Sequence, residues 1–208
     1  MKISAATGKQ NKIHISIDGE YTFTVDAEYW FSSPYYGKEN IEEGEQSAFL
    51  EAVGSRAAFN SGLRLLSYRD HTEKEMLLKL RQKGYDKLYA VNAVEKLKDY
   101  GYINDERVAE YYAKSLSERK GMSVNGIKNE LRRKGISSEL ADNVAESLDF
   151  DPILRIIELL NTKYSRYLRD DKGVRKTVAS LQRLGYRWSD IRTALRRIEV
   201  ETEDNEDV

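Results

Sequence analysis

The chain has 208 residues, of which 34 are Lys/Arg and 35 Asp/Glu, with 40% hydrophobic content, two prolines and no cysteine. The lack of cysteine excludes a disulfide framework and any thiolate metal site, and no apolar run approaches the length needed to cross a bilayer. No apolar signal core comes after Met1-Lys2-Ile3-Ser4, so a cytoplasmic, helical and highly solvated protein is expected.

The first third differs from the rest. Residues 12–17 and 20–25 each alternate apolar and polar side chains, and Asp18-Gly19 between them is a two-residue hairpin signal. Ile13, Ile15 and Ile17 are expected to share a face with Tyr21, Phe23 and Val25. A lone hairpin is marginal in water, so this face must pack either on an added strand from Lys2 to Thr7 or on the first helix of the downstream helical array. Tyr29, Trp30, Phe31, Tyr35 and Tyr36 surround Pro34. Such a cluster can stack on single-stranded bases, but no basic residue lies among them, and covering the hairpin is the simpler role. A long helix is predicted from near Glu45 towards Tyr68, with Gly54 as the point where it could break.

Beyond it the chain repeats. Leu80-Arg81-Gln82-Lys83-Gly84-Tyr85, Leu131-Arg132-Arg133-Lys134-Gly135-Ile136 and Leu181-Gln182-Arg183-Leu184-Gly185-Tyr186 place glycines 51 and then 50 residues apart. Six, ten and thirteen residues after each glycine come Ala90, Val94, Leu97; Ala141, Ala145, Leu148; and Ile191, Leu195, Ile198. Those offsets share one face of a helix. Twelve residues before each glycine stand Thr72, Ser123 and Gly173, types that suit a helix N-cap, and Thr72 with Glu75 forms a capping box. Each unit therefore holds a helix ended by glycine, a short turn and a second helix. A further helix precedes the cap in each copy, at about 57–68, 106–118 and 152–167.

The expected organisation is mainly α. An amino-terminal β-hairpin region (1–56) leads into three tandem three-helix repeats (57–104, 105–151, 152–198) in an elongated, helix-turn-helix-like array, and an acidic disordered tail (199–208) ends the chain. The joints are short: Gly101 stops one helix before Asn104 or Asp105 caps the next, and Asp151-Pro152 starts another.

Gly101-Tyr102-Ile103-Asn104-Asp105-Glu106-Arg107-Val108-Ala109, then Gly121, Ile127, Glu130-Leu131 and Lys134-Gly135-Ile136, in this order and spacing, resemble the RecX family, the bacterial regulators of the RecA recombinase. The resemblance covers about residues 57–198 and is most specific in the middle repeat. It implies a curved array lying in the groove of a RecA filament on single-stranded DNA. Such a protein is not an enzyme; it blocks or adjusts RecA's ATPase, strand-exchange and co-protease activities. Met122-Ser123-Val124-Asn125-Gly126 departs from the Gly, Pro and basic residues that relatives often carry there. Gly126 inside a predicted helix also costs about 1 kcal/mol against Ala.

The overall charge hides a segregation. Residues 1–56 carry −4, residues 199–208 carry −6 and residues 57–198 carry +9, with the third repeat at +8 against +3 and −2 for the first and second. Candidate contacts to RecA or DNA are Arg119 and Lys120 in a loop, Lys128, Arg132, Arg133 and Lys134 on the middle repeat's second helix, and Arg175, Lys176, Arg183, Arg187, Arg192, Arg196 and Arg197 in the third. A basic run at a helix end also has a purely structural use, complementing the helix dipole. Phosphate contacts, if made, fall first to the third repeat.

No cofactor or metal is expected. His14 and His71 stand alone, and no phosphate-binding glycine loop is present. The expected partner is the RecA filament, with single-stranded DNA inside the complex and bare DNA bound weakly, by a monomer. A helix-turn-helix protein acting directly on DNA is the alternative, since two helices joined by a glycine turn have that form. A helical interaction scaffold without nucleic acid also fits the composition.

Overall fold

A computed structural model describes the backbone of residues 1–206 and the side chains of residues 1–198. The chain divides into two compact units, Met1–Tyr68 with Leu77–Tyr102, and Arg69–Met76 with Ile103 onward.

In the first unit, strands β1 (Ile3–Thr7), β2 (Lys12–Ile17) and β3 (Glu20–Asp26) form an antiparallel sheet in the order β1-β2-β3. Asp18 and Gly19 have φ of 50° and 84°, the two left-handed residues of a tight hairpin turn. That turn pairs Ile17 with Glu20, so odd-numbered residues of β2 would face even-numbered ones of β3. The isoleucines and their intended partners are all odd-numbered, and the conflict is resolved by a bulge after Ile15. Beyond it Ile15 pairs with Phe23 and Ile13 with Val25. Tyr21 falls on the turn side of the bulge, pairs with Ser16 and is 65% exposed, hydrogen-bonded to Thr24 at 3.0 Å. The expected shared face thus holds for Phe23 and Val25 but not for Tyr21.

Both candidate supports of the hairpin are present. β1 pairs along β2, and α2 (Glu43–Leu66), which comes after the short α1 (Ala27–Ser32), sends in fully buried Phe49. Phe49 stacks on Tyr35 at 4.2 Å and meets Phe23 edge-on at 4.9 Å, with Trp30 also against it. The aromatic run therefore mainly closes this core, although Phe31 and Tyr36 remain more than half exposed. α2 does not break at Gly54: a β-carbon there would overlap the Tyr89 ring, so the glycine lets α4 (Lys87–Asp99) approach.

The repeats are three-helix modules. α2, α3 (Glu73–Gln82) and α4 form the first; α5 (Asp105–Lys120), α6 (Val124–Lys134) and α7 (Ser138–Glu146) form the second; α8 (Pro152–Thr162), α9 (Asp171–Arg183) and α10 (Trp188–Glu206) form the third. At each repeat glycine the chain turns identically. Gly84, Gly135 and Gly185 have φ of 89°, 97° and 91°, and the next residue's N–H reaches back to the carbonyl of Leu80, Leu131 or Leu181. That is a Schellman closure, which a Cβ-bearing residue would strain.

The third module departs in three places. α8 stops at Thr162 because Tyr164 turns inward, buried and hydrogen-bonded to Ser180 at 2.8 Å, and a 3₁₀ turn at Ser165–Tyr167 comes next. The cap of α9 is Asp170, whose carboxylate accepts the Gly173 N–H, so the helix starts three residues before the repeat spacing suggests. Gly173 is small for another reason: a β-carbon would overlap the Tyr167 carbonyl. α10 carries helix through Glu206, and of the tail expected to be disordered (199–208) residues 207 and 208 lie outside the described residues.

Within the second unit one docking geometry recurs. The carbonyl just before a repeat glycine is received by the N-cap residue of the preceding module's middle helix. Thr72 Oγ donates to the Lys134 carbonyl at 2.7 Å, and the Ser123 N–H donates to the Leu184 carbonyl at 3.0 Å. Gly126 is the reason the second contact closes, because a β-carbon there would overlap the Leu184 carbonyl oxygen. The helix-propensity cost expected of Gly126 is therefore outweighed by what it admits. Tyr186 completes the joint, donating to the Gly121 carbonyl at 3.0 Å, and burial pushes its hydroxyl pKa up to about 12.

Candidate nucleic-acid and partner interface

The basic residues of the second module are largely engaged by the protein itself. Lys128 and Arg132 stand one turn apart on α6, and Glu146 and Asp142 one turn apart on α7. Packing of these helices around Ile127, Leu131, Ala141 and Ala145 brings the two rows together. Lys128 Nζ lies 2.6 Å from Glu146 and 3.3 Å from Asp142, and Arg132 lies 2.6 Å from Asp142. The hydrogen bond to Glu146 raises the Lys128 pKa. Arg133 pairs with Glu130 at 2.7 Å but stays exposed.

Lys134 is held hardest. Its ammonium is 2.8 Å from Glu75 and 4.7 Å from the Tyr112 ring centre, a cation–π contact. Burial pushes the Glu75 carboxyl up, but hydrogen bonds from Lys134, Arg69 and the Thr72 N–H outweigh it and hold the pKa at about 2. The capping box read from Thr72 and Glu75 is thus also a cation seat, made where α6 ends against the start of α3. Arg119 and Lys120 occupy the exposed last turn of α5, before left-handed Gly121.

The third module is arranged otherwise. Arg175, Lys176, Arg183, Arg187, Arg192, Arg196 and Arg197 are all exposed. Among the described residues none of the seven ion-pairs with a carboxylate, and Arg175 donates only to the Asp171 backbone carbonyl at 3.3 Å. On α9, Lys172 joins Arg175, Lys176 and Arg183 on the face opposite buried Thr177 and Leu181. Lys172 was not among the sequence candidates, although its spacing of three and four residues from Arg175 and Lys176 signals the shared face. On α10, Arg192 and Arg196 stand one turn apart, away from buried Ile191 and Ala194; Arg197 lies to one side and Arg187 sits in the turn. The structure thus gives this module two basic helix faces whose cations pair with no carboxylate among the described side chains.

Among the described residues no group of three His, Asp or Glu side chains is placed to hold a metal ion, and no helix is long and apolar enough to cross a membrane.

Residues 58–102 match the family model for the RecX first three-helix domain, and residues 104–144 that for the RecX second three-helix domain. The chain is 30% identical over 190 residues to regulatory protein RecX of Caldanaerobacter subterraneus subsp. tengcongensis, covering 90% of this chain and 93% of that one. The chain belongs to the RecX family. Another RecX relative, from Bacillus velezensis, is 28% identical over 98% of this chain and 78% of its own. A crystal structure of regulatory protein RecX shares the fold at a TM-score of 0.69, with 20% identity over 94% of this chain and 98% of the other. That of RecX from Lactobacillus salivarius superposes at 0.60, with 27% identity over 72% of this chain and 99% of its own.

Proposed function

We propose that this RecX-family chain binds the RecA filament on single-stranded DNA and inhibits RecA's ATPase, recombinase and co-protease activities. It acts in the cytoplasm as a monomeric regulator of recombination and DNA repair, and not as an enzyme. The observation that carries the reading is the third module, which continues the two matched to RecX and whose exposed cations lack internal carboxylate partners among the described residues. Seven such cations suit a polyanion, and repeated modules suit a polymer, where many modest contacts add. Of the candidates, Lys128, Arg132 and Lys134 serve the chain's own packing. Arg119, Lys120 and the third-module residues supply the contacts to RecA or DNA.

The test is RecA's ATPase on single-stranded DNA. Stoichiometric addition of the chain lowers the rate, and an unchanged rate contradicts the reading. Direct action on duplex DNA is favoured by one feature, the arginines of α10 after the Gly185 turn. It would appear as duplex binding whose sequence preference persists as salt rises.

A further inference from the structure

Of the chain's two tryptophans, Trp30 is buried in the first unit, whereas Trp188 is 52% exposed on the first turn of α10. The third module's buried core is made without it, from Ile156, Leu160, Leu181, Tyr186 and Ile191 among others. The indole N–H finds no acceptor among the described residues. So large an apolar ring left in water needs a reason, and its neighbours supply one. Arg192 and Arg196 come one and two turns later on the same stripe of α10, both exposed, and Arg187 precedes it. The nearest carboxylate in sequence, Asp190, lies on another side of the helix and accepts from the Ser189 hydroxyl at 3.1 Å.

We propose that Trp188 is a stacking platform for an unpaired base of single-stranded DNA, with Arg192 and Arg196 holding the flanking phosphates. A ring between positive charges matches a strand that alternates flat bases with phosphates. Duplex DNA keeps its base faces covered, and an acidic protein surface offers phosphate-like charge but no ring to stack. The inference rests on the reading that the third module faces DNA.

The test uses the full chain with two labelled oligomers of equal length, oligothymidylate and its abasic counterpart, read by anisotropy and by intrinsic fluorescence. Oligothymidylate quenches the wild-type fluorescence, and in Trp188→Phe that quench is lost while affinity stays within about threefold. Trp188→Ala weakens oligothymidylate binding roughly 5- to 100-fold but leaves abasic binding and its salt dependence unchanged. The double variant Arg192→Glu/Arg196→Glu weakens both oligomers. Equal wild-type affinity for the two oligomers, or an unaffected Trp188→Ala, overturns the stacking role while leaving the DNA-facing reading intact. An unaffected double variant overturns that reading as well. Binding of neither oligomer, with quenching by polyglutamate instead, overturns the proposal in favour of an acidic protein partner.

Discussion

The second and third modules place opposite charges at the same points of their repeat. Seven and eleven residues after the glycine, α7 carries Asp142 and Glu146, whereas α10 carries Arg192 and Arg196. Seven and three residues before it, α6 carries Lys128 and Arg132, whereas α9 carries Val178 and Gln182. In the second module the two rows neutralise each other across the helix pair. In the third, one row is uncharged and the other is left to solvent. The difference teaches that a count of positive residues does not locate a binding surface; what matters is which cations the fold has already partnered. Substitutions in the paired rows of α6 and α7 should therefore register as stability, and those in the third module as binding.

Replacing Arg183, Arg192 and Arg196 together by Glu should break the comparison most visibly. Affinity for RecA filaments on single-stranded DNA, measured by anisotropy at low salt, is expected to fall on the order of 100-fold or more, with an unchanged melting temperature. Gly126→Ala should destabilise the fold by about 2 kcal/mol in a urea titration, although Ala is the better helix former, because the Leu184 carbonyl occupies the space its methyl needs. Stabilisation would remove the proposed reason for that glycine.

Glu75→Gln should cost about 1–2 kcal/mol, since Lys134 and Arg69 lose their charged acceptor and one of the two accepting oxygens becomes an amide NH2 that cannot accept. Its pH dependence has a definite sign. The folded pKa of about 2 lies below the ordinary 4.5, so this contribution is present above the ordinary value and is lost as pH falls towards 2. Melting curves of wild type and Glu75→Gln should accordingly converge over that window. The smallest effect belongs to Arg132→Gln, below about 1 kcal/mol because its pair with Asp142 is partly solvated, with filament binding unchanged within about twofold.

The repeat was legible because its punctuation is chemical. A glycine at a left-handed turn, a leucine five residues before the turn closes, and a Ser or Thr cap leave marks that spacing alone reveals. What spacing hid were features set by contact between segments. The bulge after Ile15 arises from a parity mismatch between a two-residue turn and two odd-numbered apolar rows, which counting would have exposed. α9 starts early because Asp170 supplies the cap, and Gly173, the residue that the spacing offered for that role, is instead glycine to clear the Tyr167 carbonyl. The candidate interface was half legible. Both basic clusters stand out in the sequence, but Lys134 meets Glu75 across fifty-nine positions, and no local pattern announces that pairing.

The most direct measurement is a side-by-side titration of RecA filaments on single-stranded DNA with two full-length variants of equal charge change. One carries Lys128, Arg132 and Lys134 as Gln, the other Arg183, Arg192 and Arg196 as Gln, and ATPase inhibition is recorded for each. The second variant should lose inhibition while melting like wild type, and the first should melt earlier yet inhibit like wild type once folded. Loss of inhibition in the first variant with none in the second would contradict the account.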